Sequence, residues 1–316
     1  WTTFDTGPLQ ERLFREASLS ESSVDVGFLL NTQAIPRAAN LFEPLDDYLK
    51  RDPIEDAADI FPGLTEGMKV GGKQLAVPFG LCMPGVTYPN VIDIARAWDG
   101  DFITPDFKCV ADQPPMLNAI KLLRALFEAG AFPRTFATLS PEDVNVWMQT
   151  GRAAMSLQSM GRNRIYNDPQ KSKFPGKIRT VAVPASKTLA GKYDAAQAKV
   201  EFWGLVIPKN ARRKDLSWSF IKAMVTKEAT LKAALNGNGP GRGSTYAAAT
   251  FGKSVPYAAE ELKVLKVARV PMPAFDEAAR AGDLFKEEAE AAVLGMKTPE
   301  EAMASLVRRV QPLLPA

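Results

Sequence analysis

The chain has 316 residues, 46% of them hydrophobic, and a formal net charge of +3 from 39 basic and 36 acidic side chains. That length predicts about two domains with a real core, and so balanced a charge argues against a nucleic-acid partner. Histidine is absent, which removes Ser-His-Asp hydrolases, Cys-His proteases and histidine-ligated metals.

Two cysteines, Cys82 and Cys109, are too few to close a structural zinc site. An exported chain would join them and a cytosolic one would keep them reduced; the sequence leaves both states open. No metal and no cofactor are expected. No apolar run is long enough to span a membrane, and "WGLVIP" is strand-sized. The chain starts at Trp1 rather than Met, as a processed chain or a fragment would.

In chain order, "GPLQERLFREASL" places Leu9, Leu13, Phe14 and Ala17 on one helical face. "SSVDVGFLL" reads as a buried strand, and "AIPRAANLFEPLDDYLK" as a short helix and a second helical turn. Helix, strand, helix predicts a parallel α/β sheet. "KVGGKQLAVPFG" reads as a hairpin turning at Gly71-Gly72. Residues 84–114 look irregular.

Met116, Ile120, Leu123 and Phe127 form a helical stripe that Gly130 ends. Ser140 with Asp143 caps the helix "PEDVNVWMQT". "AAMSLQ", "IRTVAVPA" and "VEFWGLVIP" read as strands, and "KDLSWSFIKAMVT" and "KEATLKAAL" as helices. Thr298, Pro299 and Glu301 open a last helix carrying Ala302, Leu306 and Val310. The fold class is α/β with two lobes.

Two loops carry chemistry. In "NGNGPGRGSTY", Gly237 and Gly239 begin a dinucleotide fingerprint, but Arg242 stands where its third glycine belongs and the loop follows a helix. No Gly-Lys-Ser/Thr triplet makes it a Walker loop. Two readings remain. Either it is a helix C-cap at Gly237, or Gly241 and Gly243 bare Arg242 toward a polar ligand.

In "ARAWDGDFITPDF", Trp98 lies among Arg96, Asp99 and Asp101. An indole beside carboxylates suits a sugar, covering its C–H face and accepting its hydroxyls. A calcium loop fails at Ile103, while a glycosidase carboxylate pair and a plain polar turn both stay open. Trp147 and Trp218 fall on apolar helical stripes and are expected in the core. Trp203, near a strand end, suits either core packing or ligand stacking.

Taken in order, "DVGFLLNTQAIPRAANLFEPLDDYL", "DIFPGL", "GGKQLAVPFG" with Tyr88 after it, "GRAAMSLQSMG", "FWGLVIPKNARRKDLSWSFIKAM", "NGNGPGRGSTY" and "KTPEEAMASLVRRV" form a recognisable series. The chain resembles the family 1 extracellular solute-binding proteins of ABC importers, a group that includes sugar- and polyol-binding members. The resemblance covers nearly the whole chain and rests on the ordered set. The family carries an additional strand and helix before the region of Trp1 and further residues after Tyr88, so segments are expected to be missing from this chain.

The resemblance implies a two-lobed periplasmic-binding-protein fold of type II with a cleft between the lobes. Lobe I would comprise 1–84 and 206–270, and lobe II 88–203 and 273–316. Hinge crossings would fall near 84–92, 203–206 and 270–273. It carries ligand contacts onto Asn31, Thr32, Tyr88, Trp98, Asp99, Asp101, Gln158, Arg162, Trp203, Arg242, Phe275 and Asp276.

It further implies a periplasmic monomer, not an enzyme, that closes on a carbohydrate or polyol and delivers it to the ABC permease subunits. Two alternatives are an anionic sugar clamped by Arg242, Arg162 and Arg96, and a carboxylate glycoside hydrolase using Asp99 and Asp101.

Overall fold

A computed structural model describes residues 6–82, 89–133, 135–189 and 191–315. The chain divides into two compact units, Trp1–Cys82 with Glu201–Pro256, and Met83–Val200 with Tyr257–Ala316.

The first stretch carries helix α1 (Thr6–Ser18), strand β1 (Gly27–Leu30), α2 (Asp46–Arg51), α3 (Pro62–Glu66), β2 (Lys69–Val70), β3 (Lys73–Gln74) and β4 (Val77–Cys82). The second carries α4 (Pro89–Arg96), α5 (Pro114–Glu128), α6 (Pro141–Thr150) and α7 (Arg162–Tyr166). The third carries β5 (Glu201–Val206), α8 (Lys214–Met224), α9 (Lys227–Leu235), α10 (Gly243–Ala247) and α11 (Ala249–Ser254). The last carries α12 (Ala258–Leu265), α13 (Ala278–Val293) and α14 (Pro299–Val310).

In the first unit β5 lies between β1 and β4 and runs antiparallel to both. This corrects the expected parallel sheet. β1 and β4 do run the same way. They do not touch, because β5 enters between them from the opposite direction. Its residues Phe202 and Leu205 are fully buried, with Leu29 of β1 beside them. Trp218 of α8 is buried, and its indole N–H donates to the Asp52 carbonyl at 2.9 Å. β2 and β3 form the expected hairpin. Gly71 and Gly72 turn it at φ of 56° and 76°, the positive values a tight two-residue hairpin turn requires.

The second unit is helical. α4, α5, α13 and α14 enclose an apolar cluster that includes Ile92, Met116, Ile120, Phe285, Met303 and Leu306. Phe102 meets Phe285 edge-on at 4.7 Å. Both sequence-predicted caps form as reciprocal capping boxes, Ser140 with Asp143 and Thr298 with Glu301.

"AAMSLQ" and "IRTVAVPA" are not strands; no ladder forms there among the described residues. Their backbone groups go elsewhere. Ile178 donates to Asn167 Oδ1 at 3.0 Å and its carbonyl accepts from Asn163 at 3.2 Å, while Ala182 N–H reaches Glu260 at 3.3 Å. Trp147 is half-buried rather than core, with the Arg152 guanidinium 4.2 Å from its ring centre.

The last division between the compact units falls at Pro256/Tyr257. Residues 257–270 are bound to the second unit. Glu260 holds Ala182, Arg269 N–H donates to the Ala198 carbonyl at 3.1 Å, and Val200 N–H donates to the Arg269 carbonyl at 2.9 Å.

Candidate functional site

In the first unit β1 ends at Leu30, and Asn31 to Gln33 make a 3-10 turn. Asn31 is buried, and its Oδ1 accepts the Phe202 N–H of β5 at 3.1 Å. This bond ties the end of β1 to the residue before Trp203. Thr32 is half-buried beside it in the same turn. Trp203 pairs with Leu30 on one side and Gly80 on the other. Its flanking residues Phe202 and Gly204 are buried, yet Trp203 itself is only partly covered. An indole left half-open on a central strand is an apolar platform with one polar N–H. The structure therefore brings Asn31, Thr32 and Trp203 together.

Arg242 belongs elsewhere. Its side chain is 2% exposed. Its Nε–H donates to the Val225 carbonyl at 2.9 Å. One terminal nitrogen donates to the Asp56 carbonyl at 2.9 Å and approaches Asp59 at 3.4 Å, and the other donates to the Glu55 carbonyl at 2.6 Å. Asp59 also accepts the Ser244 N–H at 2.7 Å and the Ser244 hydroxyl. Burial pushes the Asp59 carboxyl up, but the bonds from Ser244 and Arg242 outweigh it and hold it below the ordinary range. The loop "NGNGPGRGSTY" is thus stitched to residues 55–61, with Phe61 N–H on the Gly241 carbonyl at 3.1 Å. The expectation that its glycines bare Arg242 to a ligand is corrected: the guanidinium is turned inward onto the carbonyls of Val225, Asp56 and Glu55 and onto Asp59.

In the second unit Arg96 ends α4 and is 1% exposed. It donates to the carbonyls of Arg269 and Val270 at 3.1 and 2.7 Å, and to Asp101 at 3.0 Å. Burial lowers its pKa from the ordinary arginine value. Asp101 also accepts the Phe102 N–H at 3.0 Å and faces Arg269 at 3.5 Å. Asp99, at φ 62°, pairs with Lys192 at 2.7 Å. Each carboxylate of the predicted sugar loop is therefore already held by a cation. This argues against a glycosidase pair, and it leaves Trp98, half-buried in the same turn, without a cation beside it among the described contacts.

Arg162 is half-buried and reaches Asn145 at 3.3 Å, and Gln158 is half-buried four residues before it. Phe275 is corrected from ligand contact to core. It is 1% exposed and meets Phe107 edge-on at 6.1 Å. Its neighbour Asp276 is exposed. Tyr88 lies outside the described residues.

Two features escaped sequence reasoning. Asp93 accepts the Lys199 N–H at 2.6 Å, and Lys199 Nζ approaches Asn90 at 3.4 Å. Burial raises the Asp93 carboxyl above its ordinary value despite Lys199 and Arg96. The spacing of Asn90, Asp93 and Arg96 on one helical face was the available signal. The second is Asn238, whose amide packs on Gly80. Cys109 is a buried free thiol, and burial pushes it up to about 11. Among the described residues no group of acidic, cysteine or histidine side chains is arranged to hold a metal ion, and no helix is long and apolar enough to cross a membrane.

Residues 6–231 match the model of the bacterial extracellular solute-binding protein family. A curated relative, described as a probable amino-acid ABC transporter periplasmic-binding protein of Sinorhizobium fredii, is 24% identical over 245 residues. The match covers 74% of this chain and 52% of the relative. The chain thus spans about half the length of that relative.

Among solved structures, the sugar-binding protein MalE of Xanthomonas citri superposes with a TM-score of 0.82 at 18% identity, covering 99% of this chain and 89% of that one. A solute-binding protein of Agrobacterium radiobacter in complex with ribitol gives 0.75 at 18%, covering 99% and 90%. One of Agrobacterium vitis with bound D-mannitol gives 0.73 at 18%, with the same coverage. At such identities these likenesses speak for the fold, a mixed α/β architecture shared with two-lobed MalE-type proteins. The family match spans most of the sequence, and the chain belongs to the bacterial extracellular solute-binding proteins.

Proposed function

We propose that this protein is the periplasmic binding component of an ABC importer. Its solute is a neutral carbohydrate or polyol, bound and delivered to the permease. It works as a monomer and performs no chemistry on the solute. The observation that carries this reading is Trp203, half-open on β5 and flanked by Asn31 and Thr32. Such a platform stacks against the C–H face of a sugar or alditol while amide and hydroxyl groups take its hydroxyls. Trp98, Gln158 and Arg162 are further proposed contacts of the solute. Support also comes from folds of the same kind whose solved complexes hold ribitol and D-mannitol.

The anionic alternative loses its main clamps, because the donors of Arg242 and Arg96 are turned to carbonyls and neighbouring carboxylates. An amino acid, suggested by the name of the Sinorhizobium relative, needs an unpaired carboxylate for its ammonium group. Asp99 and Asp101 are engaged with Lys192, Arg96 and Arg269. Calorimetry against maltose, ribitol, D-mannitol, gluconate and a set of amino acids tests the reading. Binding of a neutral polyhydroxy solute is expected; binding confined to charged solutes would sink it.

A further inference from the structure

We propose that Asn238 is a specificity-determining residue of the solute site on the first unit. Its side-chain amide, fixed beside Trp203, exchanges hydrogen bonds with a solute hydroxyl. The inference rests on the reading of Trp203 as a stacking platform given above.

The geometry starts from the sheet. Gly80 of β4 lies directly opposite Trp203 of β5 in an antiparallel pair, so the two positions face the same side of the sheet. A Cβ on residue 80 would stand 2.3 Å from Asn238 Nδ2 and 2.6 Å from its Oδ1. The Asn238 amide therefore occupies the space that a side chain at position 80 would fill, on the same face as the indole. Glycine is what lets it come so close to the backbone.

The loop that carries Asn238 is fixed at both ends. Asn238 N–H donates to the Ala233 carbonyl at 3.1 Å, Gly237 turns at φ 98°, and Arg242 locks the far end to residues 55–59. The amide itself is half-buried and makes no hydrogen bond with any described residue. An asparagine side chain offers two donors and an acceptor with two lone pairs. Held beside a half-open indole with none of them bonded to a described residue, it matches a group that both donates and accepts. A solute hydroxyl is such a group. A site built this way rejects an analogue lacking that hydroxyl, because the amide would be desolvated without a partner. The loop thus serves the solute through Asn238, with Arg242 as its anchor.

Titration calorimetry with maltose, ribitol and D-mannitol tests this on wild type, Asn238→Ala, Gly80→Ala, the double variant and Trp203→Ala. Asn238→Ala should weaken the bound solute about tenfold, the size of one net hydrogen bond. Gly80→Ala should cause a similar loss by displacing the amide, and the double variant should lose no more than either single one. Melting temperatures close to wild type are expected for Asn238→Ala. Affinity within about twofold of wild type in Asn238→Ala, while Trp203→Ala abolishes binding, would overturn the inference and leave the platform reading standing. Additive losses in the double variant would overturn it as well. If wild type binds none of the three solutes, the platform reading falls and the inference falls with it.

Discussion

Replacing Arg242 with alanine should unfold the first unit more readily, with affinity for the solute intact in whatever protein remains folded. The side chain is 2% exposed and donates to three main-chain carbonyls, of Val225, Asp56 and Glu55, at 2.9, 2.9 and 2.6 Å. Alanine strands those carbonyls and leaves Asp59 without its cation. Breaking a buried charged pair in this way costs roughly 3–5 kcal/mol. At about 2–4 °C per kcal/mol the melting temperature should fall by about 6–20 °C. Arg242→Lys should fall between, since one ammonium group can satisfy only part of the fork.

Urea unfolding with a circular-dichroism readout gives the stability, and calorimetry well below the transition gives the affinity. A variant as stable as wild type to within about 1 kcal/mol, yet unable to bind solute, would refute the structural role; that threshold is the size of a single ordinary hydrogen bond.

Thr298→Ala removes the oxygen that caps α14 and breaks its reciprocal bond with Glu301; it should cost about 1 kcal/mol in urea unfolding. Asp59 has a folded-state pKa below its unfolded value. Its contribution is therefore present above about pH 4 and is lost as pH falls through the lower folded value. Asp59→Asn should accordingly flatten the acid limb of the stability–pH curve, and an unchanged acid limb would remove Asp59 from the account. Cys109 is buried with its thiol pushed up to about 11, so it should resist iodoacetamide in the native protein at pH 8 and react on unfolding. Rapid native labelling of Cys109 would contradict the burial.

What the sequence disclosed and what it hid divide along physical lines. The caps at Ser140 and Thr298 and the turn at Gly71-Gly72 depend on groups within a few residues of one another, and those were legible. The stripe of α5 was legible too, since Met116 and Ile120 repeat at the helical period and both are fully buried. "IRTVAVPA" has strand-like composition, but a strand needs a partner, and here Asn163, Asn167 and Glu260 take the backbone groups instead. The direction of β5 was hidden for the same reason: pairing is a property of distant segments.

Among the candidate site residues, Trp203 lies across the strands from a glycine at position 80, whose missing side chain makes room for the Asn238 amide. The fate of Arg242 turned on carbonyls at 55, 56 and 225. No local pattern announces such an encounter. Asn238 was hidden for the same reason: its amide meets Gly80, a residue of a distant strand.

The central claim, a neutral polyhydroxy solute stacked on Trp203, is tested most directly by calorimetry of wild type and Trp203→Ala against maltose, ribitol and D-mannitol at low and high salt. The account predicts that wild type binds at least one of them with an affinity that salt barely changes, and that Trp203→Ala loses it while remaining folded. Full affinity in Trp203→Ala, or binding seen only with charged solutes and weakened by salt, would contradict it.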